Sequence, residues 1–179
     1  MRKRVTRSLI ALLCAFTLHD ASACYGPLPQ QLISVDEQIA RARDVTVAMA
    51  VSATPAGTSA VEYRFVVQQR LAGPEQGSFT LMGGTASGNH KDTSFEHHTA
   101  PAFWKHGGGR TINESDCIIA PSFVLGESYL VFQGSPATWR SFEKIETVDG
   151  KVDENDQWLA YVKARLATRP AWELAADPG

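Results

Sequence analysis

Four of the five histidines, His90, His97, His98 and His106, fall within 17 residues, in the company of Asp92, Glu96 and Asp116. Imidazole and carboxylate are good ligands for zinc, copper or nickel, so this stretch is where metal chemistry would sit. The spacings match neither a His-Glu-x-x-His helix nor a Cys/His finger. If the segment is extended, the adjacent His97 and His98 point to opposite faces, and at most one of them joins His90 or His106. The plainer expectation is a solvated glycine-rich loop whose histidines confer pH-dependent charge. The chemical alternative is a zinc or copper site built on His90, His97, His98 and His106.

Other reaction chemistry finds little support. The nearest approach to a nucleophile elbow, Gly126-Glu127-Ser128-Tyr129-Leu130, lacks the second glycine and leads into a strand instead of a strand-to-helix turn. No phosphate-binding glycine loop with lysine is present, nor a dinucleotide fingerprint. The acids are scattered, and no pair of them is marked for acid/base work. The chain is therefore read as a non-enzymatic protein.

The cysteines are best counted after the first segment is set aside. Arg2, Lys3, Arg4 and Arg7 precede an apolar run from Leu9 to Leu18, and Ala21-Ser22-Ala23 follows. This is the pattern of a secretory signal peptide spanning residues 1–23, and the run is too short for a permanent bilayer span. The expected location is exported, periplasmic or extracellular. Cleavage after Ala23 removes Cys14 and leaves Cys24 and Cys117 in a compartment that permits disulfides. A bridge closing so long a loop would contribute about 4 kcal/mol. Two unrelated thiols are the alternative. So is a lipid-anchored Cys24, although Ala21 stands where a lipoprotein box has leucine, and His19-Asp20 separates it from the apolar run.

The whole chain carries a net charge of −2, with a pI near 6.2. Without the signal segment, 13 basic residues stand against 18 acidic ones, a net charge of −5. That balance argues against a dedicated nucleic-acid binder. Hydrophobic residues at 44% and charged residues at 20% suit one soluble globular domain.

The elements that must position these residues follow from periodicity. Ser34-Val35-Asp36-Glu37 predicts a capped short helix with Val35, Ile39 and Ala42 on one side. Val45 to Ala53 alternates, with Val45, Val47, Met49 and Val51 set against Thr46, Ala48, Ala50 and Ser52, which predicts a half-buried strand. A turn at Pro55–Ser59 leads to a second alternating strand on Val61, Tyr63, Phe65 and Val67. After a turn at Gly73–Gly77, Phe79–Met82 begins a third. From Gly83 to Asp116 the pattern stops, leaving a long Gly/His-rich loop in which Phe103-Trp104 could pin the chain to the core. Strands at Ser128–Phe132 and Phe142–Val148 are expected, the latter ending at Asp149-Gly150. A final helix is capped by Asp153, carries Trp158, Leu159, Val162 and Leu166 on one face, and ends at Pro170, before a tail to residue 179. About five antiparallel strands with a terminal helix suit a closed or partly open small barrel.

In order, the chain has Cys24, a short helix, the strand Val45–Val51, then Tyr63-Arg64-Phe65-Val66-Val67, Ala72-Gly73, Cys117 and Gly126-Glu127-Ser128-Tyr129-Leu130-Val131-Phe132. This set resembles the netrin-like domains, in particular the N-terminal domain of the tissue inhibitors of metalloproteinases and its bacterial relatives. The resemblance implies a mainly β, five-stranded antiparallel OB-fold barrel over residues 24–169, with short N-terminal and C-terminal helices. It also implies a Cys24–Cys117 bridge. For function it implies a protein partner, a metalloprotease whose catalytic zinc is chelated by the free amine and carbonyl of Cys24, beside Tyr25. A catalytic zinc keeps an open position that such donors can fill. The chain departs from the animal inhibitors at Gly26, where they have a second cysteine, and at Tyr25, where they have Thr or Ser.

Overall fold

The computed structural model describes residues 32–58, 60–84, 96–105, 109–110, 121–133 and 138–169. A two-residue strand, β1 (Leu32–Ile33), leads into helix α1 (Val35–Arg41). Ser34 starts the helix as expected: its Oγ accepts the Glu37 N–H at 3.1 Å, satisfying a donor that has no intrahelical partner. The Glu37 carboxylate turns forward to Arg41, one turn along the helix.

Three long strands follow as the predicted meander: β2 (Asp44–Pro55), β3 (Ala60–Ala72) and β4 (Ser78–Gly84). Next come a 3-10 turn (Glu96–His98), helix α2 (Pro101–Lys105) and strand β5 (Gly109–Arg110), which pairs with β1. The stretch read as one irregular loop thus carries local structure. Strand β6 (Ser128–Gln133) returns to the other side of β2, and β7 (Phe142–Ile145) pairs outside it. The predicted strand at Phe142–Val148 is broken at Glu146. Beyond it, β8 (Thr147–Val148) pairs with β9 (Lys151–Val152) around Asp149 and Gly150, whose φ values of 53° and 73° suit a two-residue hairpin turn. Helix α3 (Gln157–Ala167) is the last element.

The main sheet is five-stranded and antiparallel, in the order β4-β3-β2-β6-β7. It is covered on both faces. On one side Val45, Val47, Leu130, Phe132 and Ile145 pack with Ile39, Phe103, Trp158, Leu159 and Val162. On the other, Ala48, Ala50, Tyr129, Val131 and Phe142 pack with Tyr63, Phe65 and Phe123. Double coverage explains the unbroken apolar run Tyr129-Leu130-Val131-Phe132 in β6. It also corrects the half-burial expected for β2: Val45 and Val47 face one core, Ala48 and Ala50 the other, while Val51 is 40% exposed. The register shifts against β3 at Val45/Thr46 and Val47/Ala48 skip Leu71 and Gln68 of β3, and the last, between Ala50 and Ser52, skips Val51 of β2.

The expected barrel is not closed. Among the described residues no pairing joins β4 to β7. The outer edge of β4 instead meets the chain at Pro121, whose carbonyl accepts the Gly84 N–H at 3.1 Å. A Cβ at Gly83 would lie 2.1 Å from that same carbonyl oxygen, an approach that requires glycine. Among the described residues no helix is long and apolar enough to cross a membrane.

Candidate functional site

The 3-10 turn at Glu96–His98 is closed by Thr99, whose N–H and hydroxyl both donate to the Glu96 carbonyl, at 3.2 and 3.1 Å. His97 and His98 both lie in the left-handed region, at φ 49° and 51°. Each such residue costs about 1–2 kcal/mol relative to right-handed backbone, so surrounding contacts must hold the turn. One is the indole N–H of Trp104, which donates to the His98 carbonyl at 2.9 Å. Left-handed turn backbone does not set successive side chains on opposite faces as a strand does. Both imidazoles therefore reach one acidic rim, formed by β7, the β7–β8 junction and the turn before α3. This corrects the expectation that they face opposite ways.

The rim is built by local sequence. Asp156 is the N-cap of α3, its Oδ1 accepting the Leu159 N–H at 2.9 Å. Asp153, expected to be the cap, sits three residues earlier and folds the preceding turn: its Oδ1 accepts from the Asn155 N–H and side-chain amide at 2.9 and 3.1 Å. The Asp153 N–H donates to the Glu146 carbonyl at 2.9 Å, which ties this turn to the end of β7. Glu143 lies two residues after Ser141 and two before Ile145, on the helix-covered face of β7, and is buried.

The two histidines meet different parts of this rim. His98 is buried at 1% exposure, with its Nδ1 2.5 Å from Asp156 Oδ2 and its Nε2 4.0 Å from Glu143 Oε2. A carboxylate can only accept, so Nδ1 carries the proton shared with Asp156. Glu143 is held in turn by Arg140 at 2.9 Å. The Arg140 guanidinium also donates to the Phe103 carbonyl and stacks 3.5 Å above the Phe103 ring. His98 is thus an interior group, contrary to the solvated loop expected for it. His97 is half-exposed. Its Nδ1 lies 2.7 Å from Asp153 Oδ2, and its Nε2 lies 3.9 Å from Glu146 Oε2. The Asn155 backbone hydrogen bond holds the Asp153 carboxyl below its usual range, against the opposing effect of burial, and attraction to His97 adds to the lowering.

Of the residues singled out from sequence, the structure brings His97 and His98 onto one rim but onto separate carboxylates. His90, His106, Asp92, Asp116, Cys24, Tyr25 and Cys117 lie outside the described residues, as do the segments 1–23 and 170–179. Sequence reasoning missed Glu143, Glu146 and Asp156. For Asp156 the signal that could have found it is the Asp153-Glu154-Asn155-Asp156 run, where two aspartates compete for one cap and one is left over for another role. Phe103 does pin its segment, at 2% exposure in the helix-side core, with its ring centroid 4.5 Å from that of His98. Compared with family models, curated proteins and solved structures, the chain matches none of them.

Proposed function

We propose that this chain is an exported, non-enzymatic binding module of netrin-like type, whose N-terminal edge at Cys24 and Tyr25 engages the catalytic zinc of a metalloprotease. The observation that carries the reading is the strand order. Strands β6-β2-β3-β4 lie in the spatial order fourth-first-second-third, which is a Greek key, and β7 adds a fifth strand beside β6. The OB-fold is a five-stranded, partly open Greek-key barrel, so this order supports the resemblance even though β4 and β7 are unpaired among the described residues. A bridge from Cys24 to Cys117 would present the first mature residue on the module, leaving its amine and carbonyl available to a metal. Those two donors can replace the water of an open zinc site.

The test uses the secreted protein, beginning at Cys24, titrated against a panel of zinc metalloproteases. Inhibition at or below micromolar concentration is expected for at least one class. A form extended by one residue ahead of Cys24, which removes the free amine, should lose it. No inhibition of any class at micromolar concentration would sink the reading.

A further inference from the structure

A second metal-directed feature does not depend on the inhibitor reading. We propose that His97, Glu146 and Asp153 form a binding site for a divalent transition ion of the zinc class, which clamps the Glu96–His98 turn to the β7–β8 junction and to the turn before α3. One ligand atom from each of the three side chains lies within 4.8 Å of the other two. Tetrahedral zinc with bonds of about 2.0–2.2 Å sets its ligand atoms about 3.3 Å apart. His97 Nδ1 lies 2.7 Å from Asp153 Oδ2, whereas the 3.9 Å contact to Glu146 Oε2 is made by Nε2, so binding through one ring nitrogen calls for a side-chain adjustment within the 4.8 Å cluster.

Three further observations point to a cation. The Nδ1 atom of His97 is buried 2.7 Å from Asp153 Oδ2, a close imidazole–carboxylate contact at the centre of the cluster. The Asp153 carboxylate is oriented from behind by Asn155, the arrangement by which outer hydrogen bonds aim a metal ligand. His97 and Glu146 are each 38% exposed at the side chain, while Asp153 is 5% exposed, so the site has a fixed floor and an open mouth. An open mouth gives the ion a route of entry and leaves a coordination position for water. One imidazole and two carboxylates suit zinc or a similar N/O-binding ion, whereas calcium prefers six to eight oxygens. Of the two described histidines of the His90, His97, His98 and His106 set, the site uses His97, because His98 is committed to Asp156.

The experiment adds zinc sulfate to the purified full chain, dialyses it, and measures retained zinc by elemental analysis and affinity by calorimetry. Melting temperature is followed with zinc and with calcium. Wild type should retain about one zinc per chain and melt higher with zinc, and calcium should leave melting unchanged. His97→Asn, a residue type that tolerates the left-handed backbone, and the isosteric Glu146→Gln should each weaken binding about tenfold or more. Both positions are half-exposed, so both variants should fold, with circular dichroism unchanged. No zinc retained by wild type would reduce the cluster to an ion pair and overturn the proposal. Undiminished zinc binding in His97→Asn would overturn it as well, placing any metal on other histidines.

Discussion

The carboxylate of Asp156 serves two donors at once, the Leu159 N–H at one oxygen and the His98 ring at the other. Replacing it by alanine removes a helix cap, at about 0.5–2 kcal/mol, and leaves a buried imidazole N–H without its acceptor, at about 1–3 kcal/mol. Asp156→Ala should therefore lower the unfolding free energy by about 3 kcal/mol in urea denaturation. Asp156→Ser keeps a capping oxygen but is too short to reach His98, so it should recover about 1 kcal/mol of that loss. Equal effects of the two substitutions would mean that the histidine contact contributes nothing. The same pair of roles explains what could be read from the chain beforehand. Asp153 and Asp156 both suit a cap by type and position, and helical periodicity fixes α3 only to within its first turn. The choice between them is made by Asn155 and His98, and His98 lies 58 residues away in sequence. The histidine cluster announced itself by composition. Its geometry did not, because two successive left-handed residues are visible in no sequence pattern and are held by tertiary contacts.

Among elements, the contact between α1 and α3 is polar at its rim, where the Tyr161 hydroxyl donates to Asp36 at 2.5 Å and Arg165 reaches the same carboxylate at 2.9 Å. Below them, Arg169 donates to the carbonyls of Ile39 and Ala42, satisfying the open C-terminal end of α1. Tyr161→Phe should cost about 1 kcal/mol, read as a loss of about 2–4 °C in melting temperature. Burial, then the hydrogen bond to Asp36, pushes the Tyr161 phenol above its ordinary value of 10.0, with Arg165 pulling the other way. A raised pKa means that the protonated phenol contributes fully below about pH 10 and that this contribution fades as pH rises through the folded value. The melting difference between wild type and Tyr161→Phe should accordingly be flat below pH 10 and shrink above it. A difference that grows with pH would contradict the assignment. Most of these elements were legible in local signals: the Ser34 cap, the Asp149-Gly150 turn, the three-strand meander and the apolar face of α3. What was hidden was the far side of the sheet. Small residues such as Ala48 and Ala50 look like a solvent face, but here they make room for Tyr63, Phe65 and Phe123. The bulge at Val51 in β2 has no residue signature in this strand.

At the scale of the whole molecule, the segment around α2 decides whether the histidine rim is an appendage or part of the fold. An appended loop would open locally, leaving the sheet and its two cores intact. The geometry argues otherwise. Phe103 fills the helix-side core between Trp158, with ring centroids 5.6 Å apart, and Arg140, while His98 and His97 lean on the carboxylates that precede and cap α3. The Arg140–Glu143 pair, buried on β7 and the turn before it, completes the attachment from the sheet. Truncating a buried phenylalanine costs about 3–5 kcal/mol, against a total of about 5–15 kcal/mol for a protein of ordinary stability. Phe103→Ala should therefore shift the urea midpoint of the entire chain, with fluorescence and far-UV circular dichroism moving together. Exposed Trp104→Ala, one residue on, removes a hydrogen bond to the His98 carbonyl and should cost much less. If Phe103→Ala instead speeds hydrogen exchange only in residues 96–105, with the midpoint unchanged, the segment is a separable flap. The rim would then be a mobile binding element and not a fixed one.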